Sequence, residues 1–145
     1  MGDGAASFRV MEVLGVTVEL PEQYPVVTLQ EAEPPRRQLC FRVGMAEGVA
    51  IAQALRRLGS VRPPTHELFT TVLGRLGADV VAVRLVGRRG AVYQAELDLM
   101  SARGREVLDC RPSDGITLAL RQPVPAPVLA DDRLLDEFGD VAADG

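Results

Sequence analysis

The stretch Asp114-Gly115-Ile116-Thr117-Leu118-Ala119 repeats the pattern of Glu47-Gly48-Val49-Ala50-Ile51-Ala52, which lies 67 residues earlier (47 against 114). In both, an acidic residue and a glycine precede apolar residues at the spacing typical of a helix start. Three stretches with the apolar alternation of strands come before each of them. The repeat therefore predicts an α+β fold with mixed or antiparallel sheets, packed helices and an internal duplication of a β-β-β-α unit. Any two amphipathic helix starts share part of this pattern, so similarity without common ancestry stays open.

The predicted elements fill two halves joined by one helix. The first half has strands at 8–20, with a bulge at Gly15, at 26–32 and at 38–43, and a helix from 45 to about 59. The connecting helix is predicted at 65–76, with Gly77 as its C-cap. The second half has strands at 80–86, 92–99 and 105–110, a helix at 113–121, an extended segment to 129 and a short acidic helix at 131–138. Residues 8–138 are expected to form one domain between disordered ends at 1–7 and 139–145.

The overall charge does not indicate a nucleic-acid-binding protein. The 145 residues carry a net charge of −4 with a pI of about 5.0. Proteins that hold nucleic acid through its phosphates usually present a basic face, so such binding requires a local cluster of arginines here. The pairs Arg36-Arg37, Arg56-Arg57 and Arg88-Arg89 are most simply solvated charge. Their convergence in an oligomer is the alternative, because it would guide a nucleic-acid strand.

The two cysteines are interpreted as buried free thiols. Cys40 and Cys110 lie in apolar runs and lack C-x-x-C spacing, so neither a disulfide scaffold nor a structural zinc site is favoured. The start of the chain has no secretory signal pattern, and no apolar run approaches the roughly 20 residues that span a bilayer. The sequence therefore predicts a cytoplasmic protein without membrane contact.

Two short motifs hold the residues best suited to chemistry. They are Arg62-Pro63-Pro64-Thr65-His66-Glu67-Leu68 and Arg111-Pro112-Ser113-Asp114-Gly115. In each, an arginine precedes proline, and a hydroxyl residue at a predicted helix N-cap, Thr65 or Ser113, precedes a carboxylate. A cation, a hydroxyl and free backbone N–H groups at one helix end are suited to binding phosphate.

The sequence from Val10 to Leu135 resembles the bifunctional nuclease domain, a family of bacteria and plants. The resemblance rests on three motifs in order, Arg62-Pro63-x-Thr65-His66-Glu67-Leu68, Gly90-x-Val92-Tyr93-x-Ala95-x-Leu97 and Asp109-x-Arg111-Pro112-Ser113-Asp114. It implies a compact α+β fold, a homo-oligomer, and cleavage of both DNA and RNA. Arg42 departs from the family pattern, because members usually carry a tryptophan at this place, and Gly48 and Gly115 replace a commoner alanine.

His66, Glu67 and Asp114 are the candidate catalytic residues. Histidine side chains titrate near neutral pH, which suits His66 to activate water or to protonate a leaving oxygen. Packing of His66 against its neighbours is the alternative. Asp114, Glu67 and Glu47 are the candidate ligands of Mg²⁺ or Mn²⁺, which phosphodiester cleavage commonly uses. Asp114 could instead pair with Arg111 to fix the turn, and Glu67 could serve only the helix dipole.

The candidate phosphate-binding residues are Arg62, Thr65, Arg111 and Ser113. Arginine makes bidentate contacts to phosphate, although either arginine could instead tie loops together through backbone carbonyls. Tyr93 is interpreted as a core or interface residue rather than a catalytic one.

Three hypotheses follow. The first is a metal-assisted nuclease of low sequence specificity, with nucleic acid as its partner. The second is a non-catalytic module that binds a small anionic ligand, such as a nucleotide, at the same helix ends. The third is an interaction protein whose strand edges build a homo-oligomer, with the two motifs serving the architecture.

Overall fold

In the computed structural model, residues 7–18, 21, 23–58 and 65–141 are described, and they form one sheet with helices packed against it. Within these ranges the strands are β1 (Phe8–Thr17), β2 (Val26–Glu31), β3 (Arg37–Arg42), β4 (Asp79–Arg89), β5 (Val92–Ser101), β6 (Gly104–Cys110), β7 (Val128–Asp131) and β8 (Asp140–Val141). The helices of the same ranges are α1 (Met45–Leu55), α2 (Thr65–Arg75), α3 (Pro112–Leu120) and α4 (Asp132–Phe138). The predicted α+β class is confirmed.

The strands of the described residues follow the order β6-β5-β4-β7-β1-β2-β3-β8. Each half of the chain contributes an antiparallel meander that leads into a helix, β1-β2-β3 into α1 and β4-β5-β6 into α3. This is the element order that the repeat predicts, while an ancestral duplication stays a prediction. The register of β1 against β2 shifts between Val13 and Gly15, which confirms the predicted irregularity at this glycine.

β7 joins the two halves of the sheet. It pairs parallel with β4 and antiparallel with β1, and Val128 and Ala130 are 4% and 0% exposed. The sequence predicted only an extended segment here, because the strand is short and directly follows Pro127. Asp131 was predicted to start the last helix. Instead it ends β7 and caps α4, since its side chain accepts a hydrogen bond from the backbone N–H of Arg133.

A glycine in the first turn of each helix lets α1 and α3 lie close to their neighbours. A Cβ atom at Gly48 would lie 2.9 Å from Cβ and Cγ of Pro25, and one at Gly115 would lie 2.5 Å from Cγ2 of Val83. Carbon atoms do not pack that closely, so the missing side chain permits the approach. In contrast, α2 has no buried residue. The starts of α1 and α3 are therefore firmly seated, whereas α2 lies on the surface.

Glu31 is the centre of a closed ion cluster. Its side chain is 0% exposed and accepts hydrogen bonds from Nε of Arg9 and Nε of Arg37, both at 2.7 Å. Arg37 also donates to Asp132 and Asp136, each at 2.7 Å. Burial alone raises the pKa of Glu31, but the hydrogen bonds from Arg37 and Arg9 outweigh it and lower this pKa to about 2. The prediction that Arg37 is solvated charge is wrong.

Arg57 and Arg88 also differ from simple solvated charge. Arg57 is exposed but donates to the backbone carbonyls of Leu120 and Gln122. The guanidinium carbon of Arg88 lies 4.1 Å from the centre of the Phe138 ring. Both arginines are therefore fixed by residues that are far away in sequence.

The cysteines and the C-terminal end need two corrections. Cys40 is exposed, so its prediction as a buried thiol is wrong, whereas Cys110 is partly buried. Residues 140–141 were expected in a disordered tail, but they form β8 and pair with Arg37 and Gln38 of β3. Residues 142–145 lie outside the described part of the chain.

Candidate functional site

The first turns of α2 and α3 meet through one hydrogen bond. Nε2 of His66 lies 2.7 Å from Oδ1 of Asp114, across 48 residues of sequence. The two side chains are 21% and 27% exposed, so the pair is half-buried and open to solvent on one side. The two motifs found in the sequence are thus brought to one point, through the histidine of the first and the aspartate of the second.

Arg111 adds a cation to this pair. It follows β6 and occupies the N-cap of α3, with Pro112 as the first residue of the helix. Its Nε and Nη2 atoms lie 2.8 Å and 3.2 Å from the two carboxylate oxygens of Asp114. Its Nη1 atom lies 3.5 Å from Oε1 of Glu47, near the start of α1. One guanidinium therefore bridges the two acidic positions of the repeat, while 65% of its side chain stays exposed.

The hydrogen bonds of this cluster stabilise the charged forms of Asp114 and Arg111. Burial alone raises the pKa of Asp114, but the hydrogen bonds from Arg111 and His66 outweigh it, and this pKa is lowered. The hydrogen bond to Asp114 in turn raises the pKa of Arg111. Asp114 is therefore ionised at neutral pH, where it orients the imidazole of His66 and fixes one face of the guanidinium.

The cluster opens into two cavities that share Arg111. The larger, here called the His66 cavity, has a volume of about 500 Å³ and lies between α2, β6 and the start of α3. Its wall includes His66, Asp114 and two apolar side chains, those of Phe69 and Leu108. The Glu47 cavity has a volume of about 380 Å³ and lies on the other side of Arg111. Volumes of this size are typical of small-ligand sites.

Cys110 lines the His66 cavity without being a plausible nucleophile. Burial, with the nearby charge of Asp114, raises the pKa of the Cys110 thiol to about 11. The thiolate is the reactive form of cysteine, so this side chain is protonated and unreactive at neutral pH.

The carboxylates predicted to hold a metal do not converge. Within the described residues, no group of three or more His, Cys, Asp and Glu side chains has a metal-binding arrangement. Glu47 and Asp114 both contact Arg111, so a guanidinium already stands between them. Glu67 lines two other cavities, together with Arg121, and its Oε2 atom is buried without a hydrogen-bond partner among the described residues. In this arrangement the three carboxylates do not fit a divalent cation.

The candidate phosphate-binding residues are placed unequally. Arg111 faces both cavities, and Thr65, the first residue of α2, lines the His66 cavity. Ser113 lines the Glu47 cavity but is buried, and it is not the N-cap that the sequence predicted, since Arg111 holds that position. Arg62 lies outside the described residues.

Phe69 and Asp109 were not recognised as possible site residues. Phe69 is three residues after His66, which places both on one side of α2. Asp109 lies at the end of β6 and also lines the His66 cavity. The helical spacing was a usable signal for Phe69, and the signal for Asp109 was its place at the start of the motif Asp109-x-Arg111-Pro112-Ser113-Asp114. Tyr93 is 6% exposed and packs against Phe41, which confirms its interpretation as a core residue.

A family comparison covers the region of the chain that contains these residues. The chain from 27 to 142 matches the family model described as the bifunctional nuclease domain. The chain belongs to this family. The matched region contains His66, Asp114, Arg111 and Glu47, so the whole described cluster lies inside the bifunctional nuclease domain.

Individual relatives give further context. An uncharacterized protein of Mycobacterium tuberculosis, present in strains CDC 1551 / Oshkosh and ATCC 25618 / H37Rv, is 33% identical over 129 residues, which cover 89% of this chain and 75% of the relative. A protein of Oryza sativa subsp. japonica named Bifunctional nuclease 2 is 28% identical over 107 residues, covering 72% of this chain and 33% of that protein. Among the described residues, no helix has the length and apolar character needed to cross a membrane.

Proposed function

We propose that this protein is a nuclease that hydrolyses phosphodiester bonds in DNA and RNA with little sequence specificity. The observation that carries the proposal is the 2.7 Å contact between His66 and Asp114, held beside the exposed guanidinium of Arg111 at the mouth of an open cavity. Membership of the bifunctional nuclease domain family supports the same reaction class.

His66 is the proposed general base. When Nε2 donates its hydrogen to Asp114, Nδ1 carries a lone pair, and no described residue bonds that atom. His66 then takes a proton from an attacking water, and the new bond forms between the water oxygen and phosphorus. The bond between phosphorus and the leaving oxygen breaks, and the leaving oxygen takes its proton from solvent. Asp114 holds the imidazole in the required tautomer and stabilises its protonated form.

Arg111 is the proposed phosphate-binding residue. Two of its nitrogen atoms are bonded to Asp114, and the exposed remainder of the guanidinium faces both cavities. A positive charge at this place stabilises the charge that develops on the phosphoryl oxygens during cleavage. Contacts to phosphate carry no base information, which is consistent with low sequence specificity.

Assistance by Mg²⁺ or Mn²⁺ stays a prediction, and no step above runs through a metal. The test is to measure cleavage of single-stranded RNA and DNA in the presence of Mg²⁺, Mn²⁺ or EDTA. Activity that survives EDTA would show that the arrangement around Arg111 is sufficient. Activity that requires either metal would show that Glu47 and Asp114 rearrange around a cation instead of the guanidinium.

The deciding experiment is cleavage of labelled single-stranded RNA and DNA by the purified protein and by Asp114→Asn. We expect the substitution to lower the rate by about 100-fold or more, because His66 loses its orienting carboxylate. Asp79→Asn is the matched control, since Asp79 is exposed at the start of β4 and should leave the rate unchanged. Equal rates for all three folded proteins would refute the proposed site.

A non-catalytic role in binding a nucleotide is the second candidate. The observation that favours it is the volume of the His66 cavity, about 500 Å³, with Phe69 on one wall and Arg111 on another. Calorimetry with nucleoside monophosphates tests this role. Binding that Arg111→Gln weakens, in a protein that cuts neither RNA nor DNA, would select it over the nuclease.

We also propose that the protein is a homo-oligomer. The support is an apolar strip on α2, where Leu68 and Val72, one helical turn apart, are 53% and 44% exposed and line neither the His66 nor the Glu47 cavity. Multi-angle light scattering measures the oligomeric state directly. A monomer at all concentrations tested would refute this part of the proposal.

A further inference from the structure

We propose that a single nucleic-acid strand lies along one continuous groove that leads from the His66 cavity past Arg111 to Arg42 and Arg88. This inference rests on the proposed function, for which it names the binding path and the strandedness of the substrate. The path consists of cavities that have lining residues in common. Arg111 separates the His66 and Glu47 cavities and lines both.

A third cavity continues the groove. It has a volume of about 330 Å³ and shares Phe41, Arg42, Ala91 and Tyr93 with the Glu47 cavity. Arg88 lies on its far wall, and we call it the Arg88 cavity. The end of β3 and the β4–β5 turn form its two sides, so the groove runs between elements that are not adjacent in the sheet.

Away from the His66 cavity, whose lining includes Asp109 and Asp114, the charge of the groove is opposite to that of the chain. Among the described residues lining the Glu47 and Arg88 cavities, the charged ones are Arg42, Arg88, Arg111 and Glu47. Three cations against one anion stand out in a protein whose net charge is −4. A recess lined by cations raises the local concentration of a polyanion, and grooves that bind single strands follow the phosphate backbone in this way.

Arg88 is oriented by two aromatic rings and donates to no carboxylate of the described residues. Its guanidinium lies 4.1 Å from the Phe138 ring centre and 5.3 Å from the Tyr93 ring centre. No described residue accepts a hydrogen bond from it, and its Nε atom is buried without a partner. Arg37, in contrast, donates to three carboxylates. The rings therefore fix the direction of a cation whose donors are not taken up by carboxylates, which suits it to bind a phosphate.

Arg42 extends the same positive wall. It is exposed at the end of β3 and lines both the Glu47 and the Arg88 cavities. Arg42 thus adds a cation where the Glu47 and Arg88 cavities meet.

Phe69 indicates that the bound strand is single. Its ring is 45% exposed in the His66 cavity, on the same side of α2 as His66. A base can stack on such a ring only if it is turned out of a duplex, since paired bases are stacked inside the double helix. A single strand can place a phosphate at Arg111 and its base against Phe69 without that cost.

The test is fluorescence anisotropy with a labelled single-stranded DNA, the same sequence as RNA, and the DNA duplex. Binding is measured in the His66→Gln background, which removes the proposed base and preserves the strand. The variants are Arg42→Gln, Arg42→Gln with Arg88→Gln, and Phe69→Ala. Arg103→Gln is the matched control, because Arg103 is 86% exposed on the β5–β6 turn, away from the groove.

We expect the double arginine variant to lower affinity for both single strands by about 10-fold, and to reduce the slope of log affinity against log salt by about 1.4. Phe69→Ala should lower affinity roughly 5-fold or more with the salt slope unchanged. The duplex should bind more weakly than either single strand. Arg103→Gln should match the parent protein in every measurement.

Unchanged affinity and salt slope in the double variant would overturn the groove, as would a preference for duplex. If loss of the Arg88 stacking prevents folding, Arg42→Gln alone decides, because Arg42 is exposed. The groove and the nuclease activity can be refuted independently of each other. Cleavage that depends on His66, with no effect of Arg42 or Arg88 on binding, refutes only the groove. Strand binding that depends on these arginines, without any cleavage, refutes only the nuclease.

Discussion

Glu31 and Asp114 each hold two basic side chains, but only one of the two clusters is closed. Glu31 contacts Arg9 and Arg37, and its side chain is 0% exposed. Asp114 contacts His66 and Arg111, and its side chain is 27% exposed. The pKa of both carboxyl groups is lowered by the same kind of hydrogen bond.

The difference lies in what surrounds the cations. The side chain of Arg37 donates to Glu31, Asp132 and Asp136, and the last two lie on α4, so its cluster ties β2 and β3 to that helix. Arg111 is 65% exposed and faces two cavities. A carboxylate paired with two basic side chains therefore stabilises the fold where the protein covers it. The same arrangement is accessible to a ligand where it is exposed to solvent.

The largest expected effect is on stability at the closed cluster. Glu31→Gln should lower the free energy of unfolding at neutral pH by about 3 kcal/mol, because Arg9 and Arg37 lose the buried carboxylate to which both donate. The loss should shrink as pH falls from about 4.5 to about 2, since the wild-type carboxyl group then takes up a proton as well. Urea denaturation at several pH values measures both.

Glu33→Gln provides the control for that substitution. Glu33 is exposed on the turn between β2 and β3, two residues from Glu31, and its replacement should change stability by less than about 0.5 kcal/mol. Equal stability of the two variants would show that the Glu31 cluster is not a structural one.

At the open cluster the expected effect is on activity. Asp114→Asn should lower the cleavage rate by about 100-fold or more while the midpoint of thermal unfolding moves by only a few degrees, since an exposed ion pair contributes about 1 kcal/mol at most. Rates and thermal unfolding of the same preparations provide both values. A variant that unfolds, or one that keeps full activity, would place Asp114 with Glu31 among structural carboxylates.

Much of this arrangement follows from short-range pattern. The alternation of apolar residues predicted the two meanders, and the motifs around His66 and Asp114 predicted that both helix starts carry the site. β7 was underestimated because four residues after Pro127 give too little alternation to identify a strand. The segment forms a strand because it pairs with both β4 and β1. This constraint comes from the tertiary structure and is absent from the local sequence pattern.

Three side chains lie in surroundings that differ from those predicted, and each difference has a physical reason. The sequence predicts Arg37 as solvated charge because its partners on α4 are 95 and 99 residues away. Glu67 was grouped with Asp114, but neighbouring positions on a helix point about 100° apart, so only His66 reaches the cluster. Ser113 was expected to cap α3, yet Pro112 takes the first helical position and moves the cap to Arg111.

A smaller effect tests how firmly the two helices of the open cluster are seated. Gly115→Ala should lower the free energy of unfolding by about 1–3 kcal/mol, because its Cβ would meet Val83 at 2.5 Å and Cys110 at 3.0 Å. Gly74→Ala, in α2, should instead raise it by about 0.5–1 kcal/mol, since nothing lies within 4 Å of that Cβ. Denaturant midpoints of the two variants should move in opposite directions, and a shared direction would contradict the contrast between α3 and α2.

The smallest expected effect is the pH dependence of stability at Asp114. Because its pKa is lowered in the folded protein, ionised Asp114 adds stability above its ordinary pKa of 3.8, and this contribution is lost as pH falls below that value. The difference in unfolding free energy between wild type and Asp114→Asn should therefore be below about 1 kcal/mol at neutral pH, and should vanish in acid. Urea denaturation at pH values on both sides of 3.8 measures it, with Asp79→Asn, at an exposed residue of β4, as the matched control. A difference as large as that of Glu31→Gln would mean that the Asp114 cluster is closed in solution, which would leave Arg111 unable to receive a phosphate.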